Sequence, residues 1–115
     1  MIQDLVTLWK ALFHLPNKEE IAELRHLLLQ IVRLLEKSGA LDSATVLKDY
    51  LAMNDAAVIK FLKGGALWGG MGSLQDIALP ADSSSWPEFN TLLTTLATAQ
   101  LKVGVLNSRA REHLG

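Results

Sequence analysis

Cysteine is absent from the 115 residues, which excludes disulfides, thiolate metal sites and cysteine catalysis while leaving the redox compartment open. Proline occurs only at Pro16, Pro80 and Pro87, positions at which helical patterns stop or start. No apolar run approaches the roughly 18 residues a membrane span requires, and Met1-Ile2-Gln3-Asp4-Leu5 carries an early acid with no basic region before its apolar residues. No block of Lys or Arg is present, and the opposed charges nearly cancel at −1, which argues against nucleic acid as a partner. The three histidines, His14, His26 and His113, form no His-x-x-x-His pair, and the single Glu-x-x-His spacing, Glu23 to His26, has no second such pair beside it, so neither a metal nor a cofactor is called for. They read as solvated side chains, with His113 suited to the carboxyl end of a helix dipole. Neither a strand-like alternation nor an internal repeat stands out. These absences predict a soluble cytoplasmic protein with no membrane or nucleic-acid partner and no catalytic grouping.

Half the residues are hydrophobic and a fifth charged, a globular balance. Residues 1–115 fit a single helical domain, and a chain of this size buries roughly two thirds of its unfolded surface. Leu5, Leu8, Trp9, Leu12 and Phe13 recur at three- and four-residue steps, predicting a helix over 2–14 that Pro16 stops. Asn17 and Glu20 have capping-box spacing at the start of a helix over 18–37. Its apolar arc, Ile21, Leu24, Leu27, Leu28, Ile31, Leu34 and Leu35, is wide enough to touch two neighbours, so this helix is expected to be central. Ser38-Gly39 reads as a left-handed helix end, and Asp42 or Ser43 as the cap of a third helix whose inner face is Ala44, Leu47, Tyr50 and Leu51. Asn54-Asp55 caps a short fourth helix near 56–63, which Gly64-Gly65 ends.

A segment that helix periodicity does not explain follows: Leu67-Trp68-Gly69-Gly70-Met71-Gly72-Ser73-Leu74-Gln75-Asp76-Ile77. Its glycines permit positive φ and close approach of another segment, and Trp68 and Met71 supply large apolar groups, so a tightly docked loop is expected. Ser73 and Asp76 have cap spacing around one helical turn that Pro80 ends, and residues 80–85 read as a flexible connection. A helix opened by Ser85, Pro87 and Glu88 is then predicted to run to about Glu112, with Phe89, Leu92, Leu93, Leu96, Ala99 and Val103 inward.

Two features of this last helix stand apart. No charge occurs between Glu88 and Lys102, and Thr91, Thr94, Thr95 and Thr98 line the outer face, where poor helix formers need tertiary or intersubunit packing to hold them. Gln100 and Asn107 fall close to the centre of the apolar stripe if the helix is continuous, where an unpaired amide would cost about 1–3 kcal/mol. Polar partners are therefore expected for both, and the backbone of Gly69–Ser73 is the partner the spacing suggests.

The run from Leu67 to Leu79 resembles the hallmark of a family of small bacterial proteins of unknown function, in which Gly-Gly-Met-Gly-Ser precedes an apolar residue, a polar residue and Asp. The corresponding positions are Gly69, Gly70, Met71, Gly72, Ser73 and Asp76. The resemblance implies a bacterial all-α protein, and brings with it neither an activity nor a cofactor.

Taken together, the patterns predict an all-α, single-domain bundle of four to five helices, with the glycine-rich loop before a long C-terminal helix that packs on the second. A phosphate cradle is the sharper reading of the loop, but it lacks Gly-Lys-Ser/Thr and a preceding strand, and Asp76 would repel an anion. Two functions are consistent with this chain. One is a non-enzymatic protein-interaction module, immunity- or adaptor-like, acting on a protein partner or on itself as a homodimer through Thr91, Thr94, Thr95 and Thr98. The other is a small-molecule-binding protein or enzyme whose pocket forms where Trp68, the loop, Gln100 and Asn107 converge.

Overall fold

The computed structural model describes residues 16–69 and 72–115. The helix expected over 2–14 lies outside the described residues, as do Gly70 and Met71. The described chain is all-α. In order the elements are α1 (Lys18–Lys37), α2 (Leu41–Leu51), α3 (Asp55–Lys63), the single-turn α4 (Gly65–Trp68) and α5 (Leu74–Ile77), α6 (Trp86–Lys102) and α7 (Ser108–Leu114). No described helix is long and apolar enough to cross a membrane.

The α1 helix begins where its side chains can replace the missing backbone partners. The Asn17 side chain accepts from Glu20 N at 2.8 Å, and Glu20 returns the bond to Asn17 N at 2.9 Å. It ends with Ala40 N bonded to Leu35 O and Gly39 N to Glu36 O, the paired bonds that satisfy the last carbonyls of a helix. Eight of its residues, from Ile21 to Leu35, are buried. At about 1.5–3 kcal/mol for each large aliphatic side chain removed from water, this helix contributes heavily to the core. It packs against both α2 and α6, as the wide apolar arc requires.

Arg25 binds the neighbouring turn to this central helix. Its guanidinium donates to Leu51 O, Met53 O and Asp55 Oδ1, all at 2.8 Å, with a further bond from Nε to Asp55 at 3.0 Å. The last carbonyl of α2, the Met53 carbonyl of the turn after it and the carboxylate in the first turn of α3 thus share one planar cation.

Several expected boundaries are corrected. The α2 helix starts at Leu41, with Ala40 as an N-cap that makes no side-chain bond. Neither Asp42 nor Ser43 caps it; the Ser43 hydroxyl instead donates to Ala78 O at 3.0 Å. Gly64 ends α3, but Gly65 opens α4. The 80–85 connection is a bonded turn: Trp86 Nε1 donates to Pro80 O at 2.7 Å, and Ser38 Oγ to Ser85 Oγ at 2.7 Å.

The largest correction is at the end of the chain. The last helix does not run on to Glu112: α6 stops at Lys102, Gly104 adopts φ +85, and a separate α7 begins after Asn107. At Gly104 the left-handed backbone brings Val105 N to Gln100 O at 2.8 Å, a terminus that only glycine accommodates without strain. With the single turns included, the described elements outnumber the four to five helices expected.

Candidate functional site

The glycine-rich segment is bracketed by α4 and α5, and two of its glycines have distinct physical reasons. Gly69 N bonds Gly65 O at 2.9 Å, and a Cβ on Gly69 would lie 2.2 Å from that same oxygen. Close approach, not unusual dihedrals, demands glycine there. Gly72 has φ +82 with open space around an added Cβ, so its requirement is conformational. Its N–H donates to Asp76 Oδ2 at 3.2 Å. The expected cap is thereby displaced by one residue: the Asp76 carboxylate reaches back to Gly72, while the Ser73 side chain makes no bond to cap α5. The carboxylate also occupies an N–H that a phosphate would need.

Trp68 and Gln100 meet in the interior. Both are 0% exposed, and the indole N–H donates to Gln100 Oε1 at 3.0 Å. The amide nitrogen of Gln100 donates to Leu62 O and Val105 O, each at 3.1 Å. Asn107 joins the same network from the other side. Its Nδ2 donates to Leu62 O at 3.2 Å and Gly64 O at 3.0 Å, while its Oδ1 accepts from Arg109 N and Ala110 N at the start of α7.

Both amides therefore have the polar partners their positions demand. The partners differ from those expected. Gln100 and Asn107 are not on one continuous helix face, and their described bonds go to the carboxyl end of α3, the α6–α7 connection and the Trp68 ring rather than to the Gly69–Ser73 backbone. The reason is local supply: α3 ends beside α6, and its last carbonyls have no intrahelical donors. Trp68, Gln100 and Asn107 do converge, but as an enclosed junction whose donors are committed within the chain.

A second cluster involves a residue that helix-face reasoning placed in solvent. His113 on α7 is half-buried, with Nδ1 3.1 Å from Gln75 Nε2 and Nε2 3.1 Å from Thr94 Oγ1. Its ring centroid stands 5.7 Å from that of Trp68. The neutral tautomer with hydrogen on Nε2 fits both contacts, because Nδ1 then accepts from the Gln75 amide. His113 thus links the last helix, the turn after the glycines and the Thr-bearing helix. The signal that could have found it was the break at Gly104, which turns α7 back over Trp68.

The Thr residues divide accordingly. All four are exposed, and each hydroxyl donates to the carbonyl four residues earlier: Thr91 to Pro87, Thr94 to Asn90, Thr95 to Thr91 and Thr98 to Thr94, at 2.9–3.0 Å. At about 100° per residue, Thr91 and Thr98 lie within about 60° of Thr95, whereas Thr94 lies about 100° round the helix. There it meets His113. Thr94 thus has an intrachain role, while Thr91, Thr95 and Thr98 form an open strip with their hydroxyl hydrogens spent inward. Compared with models of known protein families, with curated proteins and with solved structures, the chain matches none.

Proposed function

We propose that this chain is a non-enzymatic protein-interaction module, immunity- or adaptor-like, and that α6 carries its recognition surface. The observation that carries the reading is the open strip of Thr91, Thr95 and Thr98. A surface helix ordinarily presents Lys, Glu or Arg to water, and here poor helix formers replace them along the exposed side between Glu88 and Lys102. With each hydroxyl hydrogen directed to its own backbone, the strip offers methyl groups and acceptor lone pairs. Desolvating such a surface costs less than desolvating charges, which suits a protein contact that is uncharged at its centre.

The competing pocket reading draws less support. A ligand between Trp68 and Gln100 would have to replace the indole–amide bond and two amide–carbonyl bonds in a region with no exposed surface at either residue. We propose a bacterial, cytoplasmic protein, on the resemblance of the Gly69–Asp76 run to a family of small bacterial proteins.

Two experiments on one set of variants test the reading. Affinity capture from a bacterial lysate should yield a specific protein with wild type and with Gln100→Ala, and lose it with Thr91, Thr95 and Thr98 changed to Lys. A thermal upshift with a metabolite library that disappears on Gln100→Ala would overturn it in favour of the pocket.

A further inference from the structure

We propose that α6 pairs with α6 of a second copy of this chain, antiparallel, about a two-fold axis passing beside Thr95. The inference deepens the interaction-module reading and rests on the same face. A two-fold interface uses one patch twice, so the patch must be complementary to itself when reversed.

This face meets that condition. Within about 60° of Thr95 lie Thr91, Leu92, Thr98 and Ala99, with Glu88 and Lys102 near the centre line at its two ends. All of these are exposed except Leu92 and Ala99, which are half-buried. Reversal about Thr95 sends position 88 to 102, because both lie seven residues, or about 10 Å, from the axis. Glu88 of each copy then faces Lys102 of the other.

The flanking positions match as well. Thr91 and Leu92 lie on opposite sides of the centre line, as do Thr98 and Ala99. An axis perpendicular to the plane of the two helices keeps each side on its own side. Thr91 therefore meets Thr98 of the second copy, and Leu92 meets Ala99, a large side chain against a small one. Thr95 meets itself. No like charges are opposed anywhere along this line, and the ion pairs fall at the rim, where they select orientation more than they add affinity.

The borders of the strip are set by the rest of the fold. On one side His113 stands at Thr94. On the other, Glu88 and Leu92 line a groove shared with Gln30, Arg33, Leu34 and Lys37 of α1. Arg33 and Lys37 therefore flank Glu88 within its own chain, so a change at Glu88 alone also alters that groove, and the test must reverse both ends. A helix about 25 Å long covers less than the roughly 800 Å² per partner of a standard interface, so the pairing is weak and needs a wide concentration range to be seen.

Sedimentation from about 5 to about 500 µM at low salt tests the pairing. Wild type should pass from monomer to dimer across this range. Glu88→Lys alone and Lys102→Glu alone should each stay monomeric, having like charges at both ends of the pair. An equal mixture of the two should form a heterodimer, because each end then joins Lys to Glu, and the double variant should recover wild-type association. Thr95→Lys, with two cations at the axis, should abolish pairing while melting like wild type. A wild-type monomer at about 500 µM, or single swaps that associate as wild type does, overturns the proposal. Either failure leaves the broader reading intact, since capture of a different protein through the Thr strip does not depend on self-association.

Discussion

Replacing Gln100 with Leu keeps most of the side chain's volume while removing every bond it makes, so the outcome measures the polar junction rather than packing. Three bonds disappear, to Trp68, Leu62 and Val105. Leu62 O retains Asn107 as a donor. The indole N–H of Trp68 and the carbonyl of Val105 are left without these partners in residues that are 0% exposed. A buried orphan costs about 1–3 kcal/mol, and Leu recovers part of this by being apolar, giving a net loss of about 3 kcal/mol. For a domain of this size that lowers Tm by about 12 °C. Urea melts with two probes give the free energy, and Trp68→Phe with the double variant completes a cycle. Because the indole donor is absent from the Phe background, the double variant should lose about 1 kcal/mol less than the sum of the singles. A Gln100→Leu midpoint equal to wild type, or strictly additive singles, would mean that Gln100 and Trp68 are not coupled through this bond.

Asn107 has two roles that substitution can separate. Asn107→Asp preserves the oxygen that caps α7 but sets a carboxylate against the Leu62 and Gly64 carbonyls, and should destabilise by about 2 kcal/mol, at least as much as Asn107→Ser. Gly69→Ala should cost more than Gly72→Ala in thermal melts: the first must move the Gly65 carbonyl now 2.2 Å from the added Cβ, whereas the second meets no atom and pays only about 1–2 kcal/mol for its left-handed backbone. Arg25→Ala should lower stability by about 1–2 kcal/mol. Arg25→Lys should recover little of it, because one ammonium does not span Leu51 O, Met53 O and Asp55 as the planar guanidinium does.

Where the chain's signals are local, the fold was legible. Asn17, Glu20 and Gly39 delimit α1 at the residues expected, since caps act within one turn of the element they end. Asn54 likewise opens α3, accepting from Ala57 N at 2.9 Å. Misreadings arose where a local pattern has two meanings. Val103 continues the apolar spacing of α6, and the lone Gly104 interrupts it without a proline to reinforce the stop, so α6 and α7 read as one helix. Asn107 then looked like a polar residue in a helix interior when it is an N-cap. The need of Gln100 for a partner follows from burial and was readable. Its identity depends on which helix end lies alongside α6, which is a tertiary fact with no local signature. The same holds for His113, which looked solvated on its own helix and is half-buried only because α7 folds back over Trp68.

We propose that the Thr strip of α6 contacts protein. A photo-crosslinking residue at Thr95, compared with the same residue at Thr45, tests it most directly. Thr45 is also exposed and also donates its hydroxyl to the carbonyl four residues back, but it lies on α2 among Asp42, Lys48 and Asp49. Irradiation in living bacteria should give discrete higher-mass adducts from position 95, whether with this chain or another protein, and none from position 45. Adducts of equal yield at both positions, or none at position 95, would contradict the claim.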